Sequence, residues 1–137
     1  MTKKQSHQGY STPPGLDDIE AIAAAAFETI PGELRRHVSA VHFVIEDFPS
    51  AEVEREMGLS TPFDLLGLYS GVSIDQQSVT DSPNDIDRIV LYRRPILDYW
   101  CETGEDLEAI VRHVLIHEVG HHFGFSDDDM ERIEEMS

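Results

Sequence analysis

Residues 115–130 read LIHEVGHHFGFSDDDM. His117 and His121 stand four apart, with Glu118 beside the first. On an α-helix, side chains at i and i+4 share one face, with Cβ atoms about 6 Å apart. Two imidazoles so placed can converge on one ion at about 2.0–2.1 Å each. With about 100° between successive residues, His113 and His121 fall about 40° to either side of His117. Glu118 lies about 100° round, too far to be a well-placed third ligand but able to reach a water held by that ion. This is the logic of H-E-x-x-H, in which helix geometry supplies two ligands and a general base.

The neighbours of these residues set the expected surroundings. Leu115, Ile116, Val119 and Phe123 cover much of the rest of the helix. A helix apolar nearly all round is a core helix, so His117 and His121 are expected inside the protein. Burying Glu118 there to no purpose would cost several kcal/mol or raise its pKa. A catalytic zinc takes three protein ligands and keeps one position open. Gly124 allows a sharp turn through positive φ after the helix, which returns FSDDD toward the ion. Asp127, six residues after His121, is the expected third ligand. Asp128 is the reserve, since spacing does not fix one residue of slack in the turn. A glutamate from a later helix is the alternative plan, but Glu134 and Glu135 are poor candidates so soon after His121. His113 reads as a residue behind the ligands or simply buried, and His122 as structural.

Outward from this helix, the pattern alternates helices with short strands. LDDIEAIAAAAFETIP carries Leu16, Ile19, Ile22, Ala23, Ala26, Phe27 and Ile30 at helical spacing. Acidic residues occupy its first turn, where the helix dipole favours them, and Pro31-Gly32 ends it. ELRRHV adds a short helical piece. SAVHFVIEDFP alternates as a strand, and SAEVEREMGL reads as a helix opened by Ser50 and closed by Gly58. DLLGLYSGVSI reads as one strand kinked at Gly67 or Gly71, or as two strands around Ser70-Gly71, and DRIVLYRRPIL as another, with Pro95 marking an edge or a strand end. TGEDLEAIVRHVLIHEVGHHFG is the long helix, with Thr103 as its cap. SDDDMERIEEM is a short acidic helix behind Ser126. The fold class is α+β, with a small sheet packed on helices.

Composition narrows the partners. The 137 residues carry ten Lys plus Arg against twenty-seven Asp plus Glu, a formal net charge of −17. Such a chain repels phosphate backbones, so nucleic acid is not an expected partner. No window reaches the roughly 18 apolar residues of a membrane span. The single cysteine, Cys101, cannot form an intramolecular disulfide, and residues 1–15 read as a disordered polar tail rather than a secretory signal. A cytoplasmic monomer is expected, with one domain over residues 16–137.

At HEVGHHFGFSD the chain resembles the zincin metallopeptidases, and more narrowly a family of small bacterial zincin-like metallopeptidases, the minimal metalloproteases. VIEDFPS, DLLGLYSGV and IVLYRRPI stand in that family's order. The resemblance implies a zincin-like fold, with a small mixed sheet beside the active-site helix. It implies Zn2+ held by His117, His121 and Asp127, with Glu118 as base, and a peptide or protein substrate. Asp127 stands where most metzincins have a third histidine. Met130 follows too closely to form a metzincin methionine turn.

On this reading Tyr69 or Tyr92 could donate to the oxyanion, although each fits the core better. The strand LLGLYSG could take an extended peptide by β-augmentation. Arg93 and Arg94 could meet a substrate carboxylate, but they read more simply as solvated charges. Two rival functions remain. One is a zinc-stabilised peptide-binding module without catalysis. The other is a metal-dependent endoribonuclease with an H-x3-H-x5-H helix, whose last histidine is Asp127 here. The net charge of −17 argues against the second.

Overall fold

The computed structural model describes residues 12–38, 41–70 and 87–136. Its elements run α1 (Leu16–Phe27), α2 (Gly32–Arg35), β1 (Val41–Glu46), α3 (Ala51–Met57), a 3-10 turn at Pro62–Asp64, β2 (Gly67–Ser70), β3 (Asp87–Tyr92), α4 (Arg93–Thr103), α5 (Leu107–His122) and α6 (Asp127–Glu135). The expected tail falls outside the described residues as far as residue 11. Pro14 is buried, and its carbonyl accepts from Arg93 Nε at 2.6 Å.

Local signals explain most boundaries. Ser50 Oγ accepts the Val53 N–H at the start of α3, and Gly58 ends that helix at φ 66°. Ser126 caps α6 by accepting from Asp129 N–H. In α1, Ile19, Ala23 and Ala26 are the buried stripe. Two expected boundaries differ. The strand expected over DRIVLYRRPIL stops at Tyr92, and RRPIL opens α4 instead. Pro95 is the third residue of α4, where a missing N–H costs no intrahelical bond. The long helix begins at Leu107 rather than after Thr103, because Asp106 accepts from Ala109 N–H at 3.0 Å. Thr103 belongs to α4, and Gly104, at φ 72°, ends it.

The sheet order is β1-β3-β2. β1 runs parallel to β3, with Phe43 opposite Ile89, and β2 runs antiparallel to it, with Tyr69 opposite Ile89. β3 is therefore central, and Pro95 marks a strand end, not an edge. Helix α5 packs against α1, β2 and α6, with Leu107, Val111, Leu115 and Ile116 fully buried. It approaches β2 closely at Gly67, where a Cβ would stand 2.6 Å from Val114 Cγ1.

Gly124 turns the chain as its spacing predicts. It sits at φ 81°, its N–H bonds the His121 carbonyl, and the Phe125 N–H bonds the Gly120 carbonyl at 2.8 Å. This is the Schellman pattern that closes a helix through a left-handed residue. Gly124→Ala should cost about 1–2 kcal/mol, since an L side chain resists that conformation. Urea unfolding measures this, and an unchanged midpoint would remove the requirement for glycine.

Candidate metal centre

α5 does not bury its imidazoles. His113, His117 and His121 form one stripe along its open side, while Ile110, Val114, Leu115, Ile116 and Val119 face the packed side. The side chain of His117 is 25% exposed and that of His121 57%. The expectation of two interior histidines is corrected: the helix is central, but His121 is exposed and His117 only half-buried, on a face that α6 covers in part. An imidazole pair that takes an ion and a substrate from solution needs this openness.

α6 lies across that stripe in the opposite direction. Asp127, at its start, places Oδ1 3.9 Å from His121 Nε2. Glu134, two turns on, places Oε2 2.7 Å from His113 Nδ1 and Oε1 3.4 Å from His117 Nε2. An ionised carboxylate only accepts, so His113 Nδ1 carries the proton in the shorter contact. Among the described residues, the three metal-ligating side chains whose donor atoms all lie within 4.8 Å of one another are His113, His117 and Glu134. The His117 and His121 rings stand 5.9 Å apart, and the His113 and His117 rings 4.0 Å. The structure thus brings Asp127 to His121 but leaves its side chain 92% exposed. Glu134, a poor candidate by sequence spacing, is the carboxylate nearest His117 in the described contacts.

The support beneath α6 explains its placement. Met130 and Ile133 are fully buried. Gly120 makes room for Met130, since a Cβ there would come within 2.7 Å of Met130 Cγ. Met130 is therefore a core residue of α6 and forms no methionine turn. Arg112 donates from Nη1 to the Glu134 carbonyl and from Nε to Thr29 Oγ1, both at 2.9 Å. Arg132 forks onto the Glu33 carboxylate at 2.8 and 3.0 Å. These contacts tie the end of α6 to α5, to the turn that follows α1 and to α2.

Glu118 occupies the junction of α5 with β2. Its Oε1 accepts the backbone N–H of Tyr69 at 3.3 Å. Burial pushes its carboxyl above the ordinary range, against the opposing pulls of that N–H and of His121. Burial, then the neighbouring His113, lowers the His117 pKa, with Glu134 opposing. The neutral imidazole so favoured is the form that ligates a metal.

The other candidates fall into the core or the scaffold. Tyr69 stacks on His122 at 4.1 Å between centroids, and its buried hydroxyl meets no hydrogen-bond partner among the described residues. Burial drives its pKa well up, and the Asp87 carboxylate lies near enough to oppose ionisation further. Tyr92 is also buried. Burial, then Glu46 and Glu118, raises its pKa. Arg93 bonds Pro14 and Asp47, and Arg94 lies over the Phe48 ring. Both arginines serve the scaffold. His122, with its Nε2 buried, lies against Tyr69 and away from the stripe. Cys101 is exposed.

The model of the zincin-like metallopeptidase family matches residues 38–136, which include β1 to β3, α5 and α6. No curated protein matches the chain. A solved structure of a conserved hypothetical protein from Thermo thermophilus aligns over 80% of this chain and 94% of that one. The identity is 22% and the TM-score 0.49. No helix among the described residues is long and apolar enough to cross a membrane.

Proposed function

Because the chain belongs to the zincin-like metallopeptidase family, we propose that it is a zinc-dependent peptidase in which His117, His121 and Asp127 hold the metal and Glu118 is the general base. The donor set suits the ion: two imidazoles and a carboxylate make a catalytic zinc site with an open fourth position. The 3.9 Å between His121 Nε2 and Asp127 Oδ1 would have to close by about 0.5 Å to reach the roughly 3.3–3.4 Å that separates two ligands of a tetrahedral ion with bonds of about 2.0–2.1 Å. Zinc held there would make water acidic near neutral pH and polarise a scissile carbonyl.

The protein's own residues supply the remaining chemistry. Glu118 takes the proton of the attacking water and returns it to the leaving amine nitrogen. Burial raises the basicity of its carboxylate, so proton uptake is easier near neutral pH. The Tyr69 N–H holds Oε1 and with it the direction of the group. That N–H points away from β3, so the outer side of β2 faces Glu118. β2 is an edge among the described strands, and an extended peptide laid along it would bring its carbonyls past the base.

The Tyr69–Glu118 contact carries this reading. It fixes a half-buried carboxylate, one residue from His117, against an edge strand. A structural ion has no use for such a group. The test is hydrolysis of a peptide library by the purified chain. Turnover should fall at least a hundredfold on chelation and return with added zinc. Equal turnover before and after chelation rejects the reading. Peptide binding without cleavage in zinc would make the site a binding module.

A further inference from the structure

The histidine stripe contains two overlapping i, i+4 pairs, and α6 offers one carboxylate to each. His121 meets Asp127, whereas His113 and His117 meet Glu134. We propose that His113, His117 and Glu134 form a second divalent-cation site, which competes with the peptidase set for His117.

The second set is the more closed of the two in this structure. Two ligands of a tetrahedral ion with bonds of about 2.0–2.1 Å stand roughly 3.3–3.4 Å apart. His117 Nε2 and Glu134 Oε1 are 3.4 Å apart. His113 Nδ1 lies 2.7 Å from the other oxygen of Glu134 and would need a modest opening after losing its proton. All three donor atoms fall within 4.8 Å of one another. His113 is exposed, which leaves a path for the ion. Glu134 is held from behind by the Arg112 bond to its carbonyl and by the buried Ile133. Two imidazoles and one carboxylate select Zn2+, Co2+ or Ni2+ over the oxygen-seeking Ca2+ and Mg2+.

Sharing makes the sites exclusive. The Nε2 of His117 is the nitrogen turned to α6, and its one lone pair serves one ion at a time. An ion seated with Glu134 withdraws His117 from His121 and Asp127. A fixed fraction of the loaded chains, set by the ratio of the two affinities, would then lack the peptidase ion at any metal concentration. The inference rests on the proposed peptidase set only for the competition; the second site stands on its own contacts.

Metal binding, read by Co2+ absorption and by Zn2+ competition with a chromophoric chelator, separates the sites. Full-length protein carrying His121→Ala and Asp127→Ala should still bind one Co2+ per chain. Adding His113→Gln and Glu134→Gln should weaken its Zn2+ binding at least tenfold. Protein carrying only His113→Gln and Glu134→Gln should still bind one ion, and no more tightly than wild type, because it has lost one of two alternative sites. Equal Zn2+ affinity in the double and quadruple variants overturns the proposal. So does loss of binding in His121→Ala/Asp127→Ala while His113→Gln/Glu134→Gln still binds one ion. Failure of every form, wild type included, to bind an ion overturns both this site and the peptidase reading.

Discussion

Glu118→Gln is expected to cut peptide hydrolysis by about 10²–10⁴-fold, the usual contribution of a positioned general base. Zinc content should not change, because Glu118 is not among the proposed ligands. The same substitution should make the metal-free protein more stable at neutral pH. Burial raises the folded-state pKa of Glu118 above the ordinary value of 4.5. Between the two values the folded chain binds more protons than the unfolded chain. The stability that Glu118 contributes is therefore complete below about pH 4.5 and is lost as pH rises through the folded value. Gln does not titrate, and its amide oxygen can keep the Tyr69 N–H bond. Urea midpoints at pH 7.5 and pH 5 decide the matter. The variant should lead at the higher pH, with the gap narrowing at the lower. A variant weaker than wild type at pH 7.5 would mean that burying the carboxylate carries no penalty.

Gly67→Ala should cost about 1–3 kcal/mol, the usual penalty of overpacking, and should impair catalysis as well. A Cβ at this position would stand 2.6 Å from Val114 Cγ1, 3.2 Å from Leu91 Cδ2 and 3.2 Å from the Val90 carbonyl oxygen. Val114 is β-branched and stiff in a helix, and the other neighbours are buried side chain and backbone. Relief must come from separating β2 and α5, which stretches the Tyr69–Glu118 bond two residues along β2. Shortening the helix residue should undo part of the damage. In a double-mutant cycle, Gly67→Ala combined with Val114→Ala should be less destabilised than the sum of the single changes. Simple additivity would mean that the two residues do not meet.

The readable parts of the sequence are those whose cause is local. Ser50 and Gly58 around α3, Ser126 before α6 and Gly124 after α5 each act within a few residues of themselves, and each sits where its chemistry requires. RRPIL misleads because its apolar residues continue the strand pattern of DRIVLY, while Pro95 suits a helix's first turn as well as a strand's end. The openness of the imidazole stripe is hidden because periodicity shows which residues share a face, not which face meets solvent.

Glu134 is undervalued by counting along the chain instead of through space. The sequence does hold a clue. Asp127 and Glu134 are seven residues apart and share a helix face. An antiparallel helix that sets residue 127 beside 121 must set 134 beside 114, between His113 and His117. The family resemblance carries the fold class and the H-E-x-x-H pattern, whereas the second carboxylate comes only from the packing of α6 on α5.

Both carboxylates that meet the imidazole stripe come from α6, the last helix of the described chain. Ribosomal synthesis runs from the N-terminus, so the sheet, the base and all three imidazoles emerge first. A nascent protein at that stage has a nearly finished scaffold but no acidic partner for its ring nitrogens. On the peptidase reading, cleaving power would therefore arrive only once α6 has been made, after the rest of the described fold.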